Sequence, residues 1–308
     1  MHFLTFLPVR SYSYAEVDAR SNQVANFLIG KGISRGDVVA IFAHRSTPIV
    51  YAILGILKAG AAFTVIDPAY PPERQIVYLR VAQPKALITI KKAGALVADV
   101  IKYIDESLTL CGFLSDLTED ETALLDGVSA ENPDIEVGPD DIGTLSFTSG
   151  STGIPKGVRG RHISYTHFYP WMMKEFDLSE ADRFSLLSGI AHDPIQRDIF
   201  TPFFMGASIH IPDYEDIHSP GRLSEWMAQQ GITVTHLTPA MGQLLAANAM
   251  AKMPGLKMAL LVGDILTKRD VMRLQALAPN IKIVNMYGTT ETQRAVRYEN
   301  GRLGFWGV

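Results

Sequence analysis

One cysteine, Cys111, in 308 residues leaves nothing for an internal disulfide and removes the thiolate pairs that most structural zinc sites use. That pattern fits a reducing, cytoplasmic setting. Charge is also sparse at 19%, with a net of -4 and no basic block. Nucleic acid binding relies on clustered Lys and Arg, so that class is excluded. Lys91-Lys92 and the Arg159 and Arg161 pair read as solvated faces or local contacts.

Long apolar runs are missing as well. The nearest approach is 48 to 66, where Lys58 is the only charge, but a spanning helix needs about 20 apolar residues. Lys58 and Gly60 divide the run into a helix and a strand, 61 to 66, so no membrane segment is expected. The opening MHFLTFLPV has no basic lead-in and no small-residue cleavage pattern, and reads as no signal peptide.

What the chain does have is apolar content, 47% of residues, enough for a large core in a soluble α/β protein. Ser13 and Glu16 form a candidate capping box for a helix ending near Gly30 or Gly32. Strands are expected at 37 to 42, 61 to 66 and 85 to 90, with helices at 47 to 58 and 72 to 82; such alternation implies parallel sheet. The acidic stretch 116 to 141, with Pro133 and Pro139, reads as a linker between subdomains of about 1 to 140 and 141 to 308. A second sheet is expected from strands near 143 to 147, 183 to 187, 207 to 211, 232 to 236, 257 to 262 and 281 to 286. The intervening helices fall around 220 to 230, 239 to 249 and 267 to 277. Ligands of such sheets bind beyond the carboxyl ends of the strands.

The densest chemistry lies at 148 to 157, TSGSTGIPKG, with four hydroxyls, three glycines and Lys156. Glycines let the backbone approach a ligand, hydroxyls add donors, and the lysine meets phosphate oxygens with a full charge. It is not a Walker A loop, because Pro155 stands where glycine is required and Gly157 follows the lysine. Nor is it a nucleophile elbow, since Ser149 occupies the place of a glycine. His192, Asp193 and Asp198 have no second histidine or cysteine pair at ligand spacing and do not read as a metal site.

TSGSTGIPKG resembles the phosphate-loop signature of the adenylate-forming superfamily. Other landmarks of its amino-acid-activating branch follow in order: YSYAEV at 12 to 17, LKAGAAFTVID at 57 to 67, His192-Asp193 in place of the usual Phe-Asp, and NMYGTTE at 285 to 291. IAHDPIQRDIF, THLTPAMGQLL, VGDILTKRD and NMYGTTETQRAV are similar to the adenylation domain of the fungal-type aminoadipate reductase family. The resemblance runs from about residue 11 to 298. It implies an incomplete large N-terminal domain of an adenylate-forming enzyme: two packed α/β subdomains with largely parallel sheets flanked by helices.

The resemblance also implies roles. ATP and Mg2+ are the expected cofactors, with Thr148, Ser149, Gly150, Ser151, Thr152, Gly153 and Lys156 on phosphates. Tyr287 stacks on adenine, Met286 and Gly288 line the base pocket, and Gly263, Asn285 and Thr289 complete it. Thr290 reaches the α-phosphate and Glu291 helps hold the metal, so Lys156, Thr290 and Glu291 are the catalytic candidates. The substrate-facing set is Asp193, Pro194, Arg197, His236, Leu260, Val262, Met286 and Arg294.

Two arginines and a histidine do not suit an apolar ligand, because a desolvated cation needs a partner. Arginine's fork suits a carboxylate. L-2-aminoadipate is the substrate the family implies, although Arg197 and Arg294 could instead pair with Asp198 or Glu291. The family's β-barrel subdomain, small C-terminal domain with its lysine, phosphopantetheine carrier domain and NADPH-binding reductase domain find no match in this chain. Two alternatives stay open: a peptide-synthetase adenylation domain for another acidic amino acid, and a binding fragment with little turnover.

Overall fold

The computed structural model describes residues 10–118, 125–148, 155–166, 168–291, 296–299 and 302–305, the last two stretches as backbone. The first helix, α1 (Tyr14–Gly30), opens on the expected capping box, in which Ser13 and Glu16 bond reciprocally. Then follow β1 (Val38–Phe42), α2 (Thr47–Lys58), β2 (Ala62–Ile66), α3 (Pro72–Ala82), β3 (Ala86–Ile90), α4 (Ala98–Ser107), β4 (Gly112–Leu117), β5 (Ile142–Thr148) and β6 (Lys156–Arg161). These six strands form one sheet in the order β4-β3-β1-β2-β5-β6, parallel except for β6. Strands β2 and β3 are buried at every position. Their unbroken apolar runs reflect helices on both faces rather than one solvated face.

Helix α2 buries Ile49, Val50, Tyr51, Ala52, Ile53 and Ile56 and lies close to α1 because Gly55 has no side chain. A Cβ there would stand 2.7 Å from both Val24 Cβ and the Ser21 carbonyl oxygen. Turning the chain from α2 into β2, Gly60 takes φ +75°, a conformation that favours glycine.

The second half contributes α5 (Ile163–Thr166), α6 (Phe168–Phe176), β7 (Arg183–Ser185), α7 (Ile195–Met205), β8 (Ser208–His210), α8 (Tyr214–His218), α9 (Arg222–Gln229), β9 (Val234–Leu237), α10 (Pro239–Ala246), β10 (Met258–Leu261), α11 (Lys268–Leu277), β11 (Lys282–Tyr287), β12 (Val296–Glu299) and β13 (Arg302–Phe305). Its sheet runs β13-β12-β11-β10-β9-β7-β8, antiparallel only at β12 and β13. The two halves share one core. Leu186, Ile190, Ile195 and Ile199 pack with the α1, α2 and first-sheet residues, and Tyr14 donates to the Ala207 carbonyl at 2.7 Å.

Two expectations are corrected. The strand at 143 to 147 belongs to the first sheet, where Phe63 pairs with Thr144, so the sheets divide after Arg161 and not near 140. Its partner β6, KGVRGR, has no apolar alternation and was not readable as a strand. The stretch read as a linker begins in β4, which includes residues 116 and 117, and is fastened to α1 between 125 and 131. Asn22 donates to the Ala130 carbonyl and Asn26 to those of Ser129 and Glu131, all at 2.9 Å, while Leu125 is buried.

Helix α11 repeats the cap of α1, with Thr267 and Asp270 bonding reciprocally. The Ser13 backbone N-H holds the Glu16 carboxyl below its ordinary range, and the Thr267 hydroxyl does the same for Asp270. A depressed folded pKa contributes stability that is present above the unfolded value, roughly 4, and lost as pH falls through the folded one. Thr267→Ala should therefore destabilise the protein more at neutral pH than at pH 3, measured by urea unfolding at both.

Candidate active site

Strands β7, β9, β10 and β11 are mutually parallel, so their carboxyl ends open along one edge. Register then decides which side chains share a face. Leu260 pairs with His236 across β10 and β9 and with Val284 across β10 and β11, which puts His236, Leu260, Val262 and Met286 on one side by alternation. Leu260, Met286 and half-buried Val262 belong to one apolar cluster with Phe184, and the Phe184 ring stacks on His236 at 6.4 Å. Helix α7 lays Arg197 against this face. Its Nη1 is 3.9 Å from Met286 Sδ, and the side chain is 2% exposed.

The adjacent Asp198 is wholly buried. One carboxylate oxygen accepts from the Leu187 and Ser188 N-H groups at 2.9 and 2.8 Å, and the other pairs with His236 Nδ1 at 2.9 Å. A single carboxylate thus ties the loop after β7 to the middle of β9. That loop makes a close turn, with the His192 N-H on the Gly189 carbonyl at 3.1 Å, and delivers Asp193 and Pro194 to the start of α7. Asp193 Oδ1 accepts from Thr290 Oγ1 at 3.2 Å, joining this loop to the segment beyond β11.

The remaining candidates are placed as follows. Tyr287 ends β11 with 68% of its surface open, beside half-buried Gly288 and exposed Thr289 and Glu291. Gly263 turns the chain after β10 at φ +101°. Thr148 closes β5 directly opposite Lys156, the exposed first residue of β6, so the two ends of the phosphate loop are adjacent. Ser149, Gly150, Ser151, Thr152, Gly153 and Arg294 lie outside the described residues. Asn285 is turned away from Met286, lining a groove of about 620 Å3 against α11. The structure does not bring it to the face shared by Arg197 and His236.

Residues 3–304 match the family model for AMP-binding enzymes. The chain belongs to this family. It is 54% identical over 307 residues to L-2-aminoadipate reductase of Schizosaccharomyces pombe (strain 972 / ATCC 24843), with 94% of the chain covered. A dimodular nonribosomal peptide synthase of Bacillus subtilis (strain 168) is 31% identical over 91% of the chain and 11% of its own length. The chain spans 22% of the length of the aminoadipate reductases it matches. Among solved structures, the nonribosomal peptide synthetase FmoA3 with AMPPNP bound superposes at TM-score 0.80 and 26% identity, over 93% of this chain and 30% of that one. The two-sheet architecture is therefore that of adenylate-forming enzymes.

Arg45 and Tyr70 were not singled out in the sequence, yet both touch the turn that carries His192 and Asp193. Their signal was position. Each directly follows a parallel strand of the first sheet, where ligands and their supports collect.

Proposed function

We propose that this chain forms the ATP- and amino-acid-binding core of an adenylating enzyme whose substrate is L-2-aminoadipate. The observation that carries the reading is the buried Arg197 beside Met286 on the His236 face. The planar fork of the guanidinium matches a substrate carboxylate, and burial strengthens an ion pair formed there. His236, oriented by Asp198, adds a second polar edge to an otherwise apolar wall of Leu260, Val262 and Met286. A long, doubly acidic amino acid suits that combination.

The described residues fit ATP. Tyr287 offers an open ring face for a base, and Lys156 places a mobile cation across from the Thr148 hydroxyl. Mg2+ keeps most of its ligands as water and phosphate oxygen and needs only one or two protein carboxylates; Glu291 supplies one. The bound nucleotide provides an electrophilic α-phosphorus to which a carboxylate oxygen bonds as the bond to pyrophosphate breaks. Arg197 and His236 hold and orient the amino acid so that one carboxylate faces that phosphorus, and Asp193 fixes Thr290 near the developing charge. The catalytic contribution is positioning and charge stabilisation. Under this reading, thioesterification on a carrier domain and NADPH-dependent reduction take place on other parts of the longer relatives.

Base stacking is worth on the order of 1–3 kcal/mol. Tyr287→Ala is accordingly expected to weaken ATP binding about tenfold or more while leaving the melting temperature and the aminoadipate affinity nearly unchanged. Calorimetric titration of each ligand separately checks this; equal ATP affinity in the variant would remove Tyr287 from the base site.

A further inference from the structure

The turn between β7 and α7 is fixed from two directions. From its own half, Asp198 takes the N-H groups of Leu187 and Ser188. From the first sheet, Arg45 takes the carbonyls of the same two residues, at 3.3 Å to Leu187 and 2.9 Å to Ser188. Leu187 and Ser188 thus each have their N-H held by an anion and their carbonyl held by a cation. Burial weakens the Arg45 cation, and the nearby Asp198 and Asp67 carboxylates oppose that effect.

Four residues further on, the Tyr70 hydroxyl meets His192 Nε2 at 3.0 Å. Tyr70 is itself held in place. The Arg74 guanidinium lies 4.0 Å over its ring, Tyr78 packs edge-on at 5.8 Å, and Gln75 donates to its carbonyl at 2.7 Å. Tyr78 in turn stacks at 4.0 Å on Phe147, the residue before Thr148 in β5. Burial pushes the Tyr70 phenol up to about 12, so it stays protonated across the neutral range.

Arg45 follows β1 and Tyr70 follows β2, and these strands are neighbours in the first sheet. A phenylalanine at 192 could not accept the Tyr70 bond, so the contact depends on the histidine of this chain. The side-chain hydrogen bonds of both residues to the second half fall on the turn, at Leu187, Ser188 and His192.

We infer that Arg45 and Tyr70 are positioning residues, through which the loops after β1 and β2 set the place of Asp193 and so tune affinity for the carboxylate-bearing amino acid. This rests on the reading of the Arg197 and His236 face as an amino acid pocket. Tyr70 also connects, by way of Tyr78 and Phe147, to the strand that enters the phosphate loop.

The test uses Arg45→Ala, Arg45→Lys and Tyr70→Phe in the full 308-residue chain. Tyr70→Phe keeps the ring and deletes only the hydroxyl, so it preserves folding where Arg45→Ala does not. L-2-aminoadipate and ATP are titrated separately, and amide hydrogen exchange is followed across 186 to 193. The expected result is an aminoadipate Kd raised about tenfold in Tyr70→Phe and more in Arg45→Ala, with partial recovery in Arg45→Lys. ATP affinity stays within about twofold, and exchange quickens in the turn while β9 and β10 keep their protection. Unchanged exchange in the turn overturns the inference, as does equal loss of both ligands with faster exchange everywhere, which marks a purely structural role. If the parent chain binds ATP but no aminoadipate, the substrate reading falls. Selective quickening of the turn in Tyr70→Phe then still supports the positioning role.

Discussion

Arg197→Ala is expected to weaken L-2-aminoadipate binding by at least about thirtyfold and to leave ATP binding intact. Truncating one partner of a buried, hydrogen-bonded charge pair costs on the order of 2–5 kcal/mol, and each 1.4 kcal/mol is about tenfold in affinity. Arg197 is among the largest fully buried side chains of the molecule, so its charge is not shielded by water. Two further substitutions separate binding from stability. Arg197→Lys retains a cation but not the planar fork and should recover only part of the affinity. Arg197→Met fills the space beside Met286 without a buried charge, and such replacements are often neutral or stabilising. It should melt no lower than the parent and still bind aminoadipate weakly. A marked fall in its melting temperature would make Arg197 a structural cation and sink its assignment to substrate.

The second large effect is on folding. Asp198→Ala strands the Leu187 and Ser188 N-H groups and His236 Nδ1 in a buried setting. Breaking a buried charged pair by removing one partner costs about 3–5 kcal/mol, against total stabilities of roughly 5–15 kcal/mol. Asp198→Asn keeps an acceptor oxygen for the two N-H groups, but its amide cannot accept as well from the histidine. It should be destabilised by less and lose aminoadipate affinity through a disoriented His236. Urea unfolding of both variants gives the comparison; an Asp198→Ala midpoint equal to the parent's would show that the buried network is not formed as described.

Much of this was legible in the sequence, for identifiable reasons. Helices 47 to 58 and 72 to 82 matched their observed spans because each begins beside a proline and ends at a turn-forming residue. The buried strands β2 and β3 announced themselves as short unbroken apolar runs. Helix α7 did not, since IQRDIFTPFFM carries Arg197, Asp198 and Pro202 inside it, residues that serve the site rather than the helix. The boundary near 140 was misplaced because proline and acidic content describe a chain's polarity and not its partners, and those partners are the amides of α1.

At the site, the substrate-facing set came from the family resemblance, and the register of β9, β10 and β11 places His236, Leu260 and Met286 on a common face. Asp198 was weighed as a metal ligand, and rejected, and as a counter-ion for Arg197, whereas its carboxylate is turned to His236 and to two peptide N-H groups. That preference is set by the path of the loop after β7, which no local pattern encodes. Arg45 and Tyr70 were invisible for the same reason. Their contacts join segments more than a hundred residues apart.

The most direct test is a calorimetric titration of the 308-residue chain with L-2-aminoadipate, L-glutamate, L-aspartate and L-norleucine, each in the presence of a non-hydrolysable ATP analogue. The account predicts that aminoadipate binds tightest, glutamate and aspartate more weakly, and norleucine, which lacks the second carboxylate, not at all. Norleucine binding as well as aminoadipate would contradict the assignment of a doubly acidic substrate. Tighter binding of glutamate or aspartate would keep the acidic pocket and assign it to a different amino acid.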